Sequence, residues 1–421
     1  MKLTKNRGYL TLMAAQTISS LGDWLSIVAI ITLVGLKWEA TPMQVSLVIL
    51  CLALPMALLG PVAGTVADRL NRKMLMMVSD LVRAGLILGL AFAETLWLVY
   101  VCLFTIGAFS AVFVPAKNGK LKELVAPEQM KSAMSITSMI DSSTKIMGPL
   151  LSGLLVAAFG AKIVFFIDSA SFLLSAIFIF LLPKGLEAMN EVQEEDSNRT
   201  SFKQEFLTGL SFIKLNSFIK MGLAFLGISL MILQLADSQI IVLIRDLSTA
   251  SPDLFGYIVT ASGLGMFLAG WRLAKRTDYQ AFPNMLAGVS GLGISFGMMA
   301  VLTYFDVEFS IVWGPLFGLT GGFAASHIFV PFQATVQVET PVHMTGRVFG
   351  VINSVMTMAT IIGPLLGGWL ATQFGAVPTF IVTATILVVI SFAGYLAKNK
   401  VERGRVHDTE SKSGTPRATT S

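Results

Sequence analysis

Charged side chains are what this sequence has least of. Only 13% of its 421 residues are Asp, Glu, Lys or Arg, about half the ~25% usual in soluble domains. With 54% hydrophobic residues and a mean hydropathy of +0.74, it has too little polar surface to cover a water-soluble body of this length. That excludes an ordinary cytosolic enzyme, and it excludes a nucleic-acid binder despite a pI near 9.1. Cysteine is nearly absent: Cys51 and Cys102 each lie inside an apolar run, so neither a disulfide framework nor a cysteine metal cluster can be built. No phosphate-binding glycine loop occurs, so ATP hydrolysis is not the direct energy source. No metal and no cofactor are expected. A secretory signal is also missing, because the basic start, Met1 to Arg7, leads into a long apolar run with no small-residue cleavage pattern.

Long apolar runs are abundant instead. A helix needs about 20 apolar residues to cross the hydrocarbon core. The sequence predicts twelve spans, near 9–36, 43–67, 74–93, 95–116, 131–159, 162–182, 217–244, 254–274, 283–304, 309–333, 346–374 and 376–397. Placing both termini in the cytoplasm puts 25 of the 30 Lys and Arg residues on inner segments and only Lys37, Lys162 and Arg245 outside. Basic residues concentrate on cytoplasmic loops, so this bias sets the orientation, and the basic pI reflects topology rather than an acidic partner. The expected organisation is a six-helix half at 1–182, a cytoplasmic linker at 183–215, a second six-helix half at 216–398 and a disordered tail at 399–421. The linker begins with an acidic stretch, Glu187 to Asp196. It then spaces Phe202, Phe206, Leu210 and Ile213 as on a helix lying along the inner membrane surface.

The halves repeat. Val114-Pro115 recurs as Val330-Pro331, Gly148-Pro149-Leu150-Leu151 as Gly363-Pro364-Leu365-Leu366, and Phe159-Gly160 as Phe374-Gly375, at offsets of 216, 215 and 215. Two halves in the same orientation imply a pseudo-twofold axis along the membrane normal, with a substrate site between them near the midplane.

Between spans 2 and 3 the chain reads Gly64-Thr65-Val66-Ala67-Asp68-Arg69-Leu70-Asn71-Arg72-Lys73. Gly64 allows a neighbouring helix close, Asp68 can accept from exposed amides at a helix start, and Arg69, Arg72 and Lys73 supply inner positive charge. This resembles the loop 2–3 signature of the major facilitator superfamily. Asn71 stands where that family usually has Gly, and Asn also tolerates a left-handed turn. Leu21-Gly22-Asp23-Trp24, Asp80-Leu81-Val82-Arg83-Ala84, Phe113-Val114-Pro115 and Phe166-Ile167-Asp168-Ser169-Ala170-Ser171-Phe172 are similar to one bacterial branch. That branch holds macrolide-efflux, enterobactin-exporter and multidrug-efflux permeases. Gly148-Pro149-Leu150-Leu151-Ser152-Gly153 resembles the family's antiporter motif, with Thr144 at an upstream position expected to be Gly. Pro149 removes a backbone hydrogen bond and the glycines allow close packing, which reads as a kink or pivot. The second half has no copy of the loop signature: Trp271 to Arg276 is basic without a matching Asp.

Ionisable residues inside spans are costly and are functional candidates. Asp23 lies near the middle of span 1 with no partner in its own helix. Asp141 and Lys145, spaced i, i+4, read either as a neutral pair fixing helix 5 or as a switchable pair. Asp237 is the candidate of the second half. Asp80 and Arg83, spaced i, i+3, join the expected conformational gate with Gly64, Asp68, Arg69, Arg72 and Lys73; Asp168 is expected to anchor packing. His327, where the repeat places Ala111, suits a hydrogen-bonded packing role better than a proton shuttle.

The resemblance implies an all-α polytopic membrane protein of twelve transmembrane helices in two six-helix halves, with no enzymatic activity. It implies a monomer in the bacterial inner membrane, exporting amphipathic small molecules such as drugs, macrolides or siderophores in exchange for protons by alternating access. Asp23 first, then Asp141 or Asp237, would carry the proton, and the loop around Asp68 would bridge the halves on the inside. An uptake symporter, a lipid flippase and a non-transporting receptor or scaffold are the alternatives.

Overall fold

A computed structural model describes residues 3–126, 129–183, 202–248, 251, 253–275, 280–341 and 344–413, and all secondary structure among them is helical. Polar residues set the helix starts. α1 (Arg7–Thr32) begins where Asn6 accepts from the Tyr9 amide, and a π-helical turn, Leu33–Lys37, follows it. α2 (Pro42–Arg69) opens on a capping box in which Thr41 and Gln44 accept from each other's backbone amides, with Pro42 in the first turn. α3 (Arg72–Leu90) is capped by Asn71, whose side chain accepts from the Met74 amide at 3.1 Å. Asn71 has a φ of −62°, so it is an N-cap and not the left-handed turn expected from the sequence.

α4 (Leu96–Leu124) contains Pro115 and runs well past the expected end near 116. α5 (Met130–Leu181) is two arms meeting at Gly160, whose φ of 76° and ψ of 162° break the helix where the sequence divides spans 5 and 6. The repeat copy, Gly375, has φ 91° and ψ 165° between α12 (Thr345–Phe374) and α13 (Ala376–Ser413). The repeated Phe-Gly pair therefore marks the same helix junction twice.

The expected seventh span is divided into α7 (Ser217–Asp237) and α8 (Ile240–Arg245) by a turn at Ser238 and Gln239. The remaining helices are α6 (Phe202–Leu215), α9 (Leu254–Ala274), α10 (Ala281–Tyr304) and α11 (Ser310–Glu339), the last containing Pro331 as the counterpart of Pro115. α6 does not lie on a membrane surface alone. It packs against α12, with Ile213 buried and Leu210 against the core. The acidic stretch at 187–196 and the side chains of Phe202 and Phe206 lie outside the described residues. Helix α13 continues to Ser413, into the segment expected to be disordered, and residues 414–421 lie outside the described residues.

Among the described residues, ten segments are long and apolar enough to cross a membrane, from Arg7–Lys37 to Ala376–Leu396. α3, which carries Arg72, Lys73, Asp80 and Arg83 in 19 residues, is not among them. In one group of helices α1 and α3 pack on α5, and α2 and α3 pack on α4; α7 and α9–α13 form a second group. The groups meet chiefly through α5 against α9 and α2 against α12.

Small residues make these crossings close, as they do in membrane interfaces. A Cβ at Gly256 would come within 3.0 Å of Ala157 Cβ and 2.8 Å of Gly153 O, and one at Gly263 within 2.5 Å of Leu150 N. Gly368 lies equally tight against Ser46 and Pro42. Hydrogen bonds between the groups fall at the same end: Ser46 Oγ to Pro364 O at 2.5 Å, Gln239 Nε2 to Ser46 Oγ at 2.9 Å, and Arg245 Nη1 to Ala40 O at 2.8 Å and Gly35 O at 3.2 Å. At the other ends of α2 and α12, a Cβ at Gly60, Gly64 or Gly350 would meet no described atom within 4 Å. Among the described residues the groups close on one another at this end, and none of these contacts recurs at the other.

Candidate functional site

Three consecutive residues of α1 reach three different elements. Gly22 lies so close to Asp168 and Ser171, on the second arm of α5, that a Cβ would overlap both side chains. Asp23 points the other way, its Oδ1 3.4 Å from Arg83 Nη1 on α3. Trp24 packs on Gly148 in the first arm of α5. Successive helical positions differ by about 100°, so one short stretch of α1 joins the motifs that the sequence singled out separately.

Arg83 is the centre of the charge cluster. It is 1% exposed, paired with the fully buried Asp80, and its guanidinium lies 4.6 Å from the Phe113 ring centroid and 4.4 Å from that of Phe172. Aromatic faces attract a cation and replace part of its lost hydration. Ser19 Oγ lies 3.4 Å from Nη2. Asp168 is fully buried and accepts from Ser26 and from Ser171 at 3.1 Å, which bears out a packing role. Asp80 and Arg83 thus neutralise one another, while Asp23 shares the same cation at longer range. Asp23 leaves 46% of its side chain exposed beside that buried pair.

Asp141 is held by Gln16 of α1, whose Nε2 donates to Oδ1 at 2.7 Å. The side chain of Lys145 lies outside the described residues, as do those of Asp68 and Pro149. Among the described residues, the charge of Asp141 acts on Lys117 of α4, which is 8% exposed. Asp237 closes α7 at the α7–α8 break, open at its side chain and deep in the second group.

Among the described residues, Arg72 and Lys73 after the α2–α3 turn contact the first group. Arg72 Nη1 bonds Glu123 Oε1 at 2.9 Å, and Lys73 Nζ donates to the carbonyls of Phe180 at 2.7 Å and Leu182 at 2.5 Å. These tie the start of α3 to the ends of α4 and α5, within the first group. Arg69 is exposed at the end of α2. Gly153 meets Gly256 and Thr260 across the groups, whereas Gly148 meets α1. His327 makes a 2.9 Å bond from Nδ1 to Phe323 O and stacks on the Phe323 ring at 4.6 Å; a carbonyl only accepts, so Nδ1 carries the proton. Among the described residues no group of three His, Cys, Asp or Glu is arranged to hold a metal.

Reading spans from charge overlooked Lys117 and Lys120. Both are buried in α4, and Lys120 Nζ pairs with Glu123 Oε2 at 2.7 Å. The first charge ended the apolar run, although Lys120 and Glu123 at i, i+3 were a signal that the helix continued. Gln16, Ser46 and Gln239 carried no sequence signal, because their roles depend on which helices face each other.

The family model described as Major Facilitator Superfamily matches residues 12–360. The MFS-type transporter YfiS of Bacillus subtilis (strain 168) is 40% identical over 418 residues, 97% of each chain. Macrolide efflux protein A of Streptococcus pyogenes is 26% identical over 392 residues, 91% of this chain and 94% of its own. Among solved structures, that of the nucleoside transporter NupG superposes with a TM-score of 0.68 at 13% identity, over 94% of this chain and 99% of its own, and shares the fold. Closed-end packing, intramembrane charges and these likenesses agree: the chain belongs to the major facilitator superfamily and is a multi-pass membrane transporter rather than an enzyme.

Proposed function

We propose that the chain is a proton-coupled antiporter of the bacterial inner membrane, with twelve spans and cytoplasmic termini, that works as a monomer and exports amphipathic small molecules. The observation that carries this is Asp23: a half-exposed carboxylate on α1, only loosely shared by a cation already paired with the buried Asp80. Such a group can exchange a proton or a ligand without dismantling the buried pair behind it. Similarity to macrolide efflux protein A supports export.

With the termini inside, the end away from Gln239 and Arg245 faces the cytoplasm. A ligand enters there, and the groups then rock so that the end held by Gln239 and Arg245 opens. A proton arriving from outside neutralises Asp23, weakens its hold on the ligand and restores the inward-open form. In that cycle Gly64, Asp68 and Arg69 meet the second group only when the inner end closes. Arg72 and Lys73 meanwhile keep α3 fixed to its own group.

The test is transport in proteoliposomes under an imposed pH gradient, with a panel of amphipathic small molecules that includes macrolides. Asp23→Asn is expected to abolish gradient-driven transport while the protein remains folded and its gradient-independent exchange persists. Full gradient-driven transport by Asp23→Asn would remove the proton from this residue, and uptake in the opposite sense would favour a symporter.

A further inference from the structure

The ring of Trp24 rests on the bare backbone of Gly148: a Cβ there would come within 2.5–2.7 Å of Trp24 Cγ, Cδ1 and Cβ. Gly148 is buried and Trp24 only half-buried, so the inner edge of the indole is clamped while the rest of the ring stays open. Its Nε1 donates to no described residue, and it is not among the enclosed polar atoms that lack a partner. An indole N–H shut away from water normally finds an acceptor, so this one reaches open space. Trp24 shares an arc of about 100° on α1 with Gln16, Ser20, Asp23 and Ile27. On that arc Asp23 leaves 46% of its side chain open. One wall therefore offers a fixed π face, a free N–H donor and a carboxylate side by side.

We infer that Trp24 is a ligand-contacting, specificity-determining residue, that Gly148 is glycine in order to seat it, and that the site selects ligands with a planar ring. This rests on the transport reading and deepens it. A clamped indole loses little freedom on binding, which is how aromatic anchors dominate recognition. A planar ring can stack on the π face over its full area, whereas the long alkyl chains of a tetraalkylammonium keep its cation from that close contact. On this account the antiporter-like segment positions a side chain of α1 in addition to shaping its own helix.

The test is equilibrium binding of radiolabelled tetraphenylphosphonium to the purified full-length protein, with tetrapentylammonium as competitor of the same charge and no ring. Trp24→Leu is expected to weaken tetraphenylphosphonium about tenfold and tetrapentylammonium less than twofold; Trp24→Phe should keep most of the preference. Gly148→Ala, which displaces the ring, should reproduce the Trp24→Leu pattern in binding without any gradient. Equal loss of both ligands in the Trp24 variants would overturn the inference. So would unchanged binding by Gly148→Ala, or no saturable tetraphenylphosphonium binding by the wild type. Failure of the transport reading appears separately, as absent gradient-driven transport while the binding contrast persists.

Discussion

Between the rings of Phe113 and Phe172, Arg83 gives one arm of its guanidinium to Asp80, while Asp23 lies 3.4 Å from the other arm. A buried pair of this kind adds little net stability over an apolar isostere, but removing one partner strands a charge. Arg83→Ala is therefore expected to cost about 3–5 kcal/mol, seen as a large fall in detergent melting temperature. Restoring neutrality with Asp80→Asn in the same chain should recover part of it. Outside the spans, Asp306 shows the opposite regime. Hydrogen bonds from the Ser248 hydroxyl and, at 3.1 Å, the Ser248 amide hold its carboxyl below the ordinary 3.8. A depressed carboxyl contributes stability above its unfolded value and loses it as pH falls through the folded one. The Ser248–Asp306 contact should therefore persist through pH 4 and fail only at lower pH, as a carboxyl-carbon NMR titration would show. At this scale the sequence located Asp23, Asp80, Arg83 and Asp168 because ionisable groups stand out against apolar spans. It could not pair Asp141 with Gln16, since a neutral amide in another helix leaves no mark on spacing or charge.

Helix boundaries followed from apolar length except where backbone geometry or charge intervened. Gly160 and Gly375 both adopt a positive-φ, extended-ψ conformation open essentially to glycine alone. A Cβ at Gly160 would touch nothing within 4 Å, so the demand there comes from the backbone and not from packing. Gly160→Ala is expected to destabilise the junction by about 1–3 kcal/mol, measured as a lowered melting temperature with no change in ligand preference. The repeated Phe-Gly pair made these junctions legible in advance. The division of the seventh span was not read from the sequence: Asp237, Ser238 and Gln239 interrupt the apolar run, but the apolar residues on either side, Leu235, Ala236 and Ile240 to Ile244, suit one continuous span. At this turn Gln239 reaches Ser46 of the opposite group, a tertiary contact that spacing does not reveal.

The two helix groups touch mainly where side chains are smallest, and this determines what motion the molecule permits. Ala157 and Gly256 would place their Cβ atoms 3.0 Å apart, slightly short of a disulfide's spacing of about 3.5–4.5 Å, so a small separation of the two helices brings them within bonding geometry. In a chain with Cys51 and Cys102 replaced, Ala157→Cys with Gly256→Cys is expected to cross-link on oxidation and to stop transport, with full recovery on reduction. Undiminished transport by the cross-linked protein, read in the same proteoliposomes, would contradict alternating access through this end. The repeated motifs point to two like halves; which of the two ends is closed was not legible, because both ends are built from the same sequence pattern. The contacts that hold the closed end have an evolutionary consequence. Arg245 grips the carbonyls of Gly35 and Ala40, and Ser46 grips that of Pro364. A main-chain oxygen is present whatever residue carries it. The turn between α1 and α2 can thus exchange its side chains freely without losing its grip on the other group, so divergence should accumulate on the acceptor side of this seam while the donors Arg245 and Ser46 stay fixed.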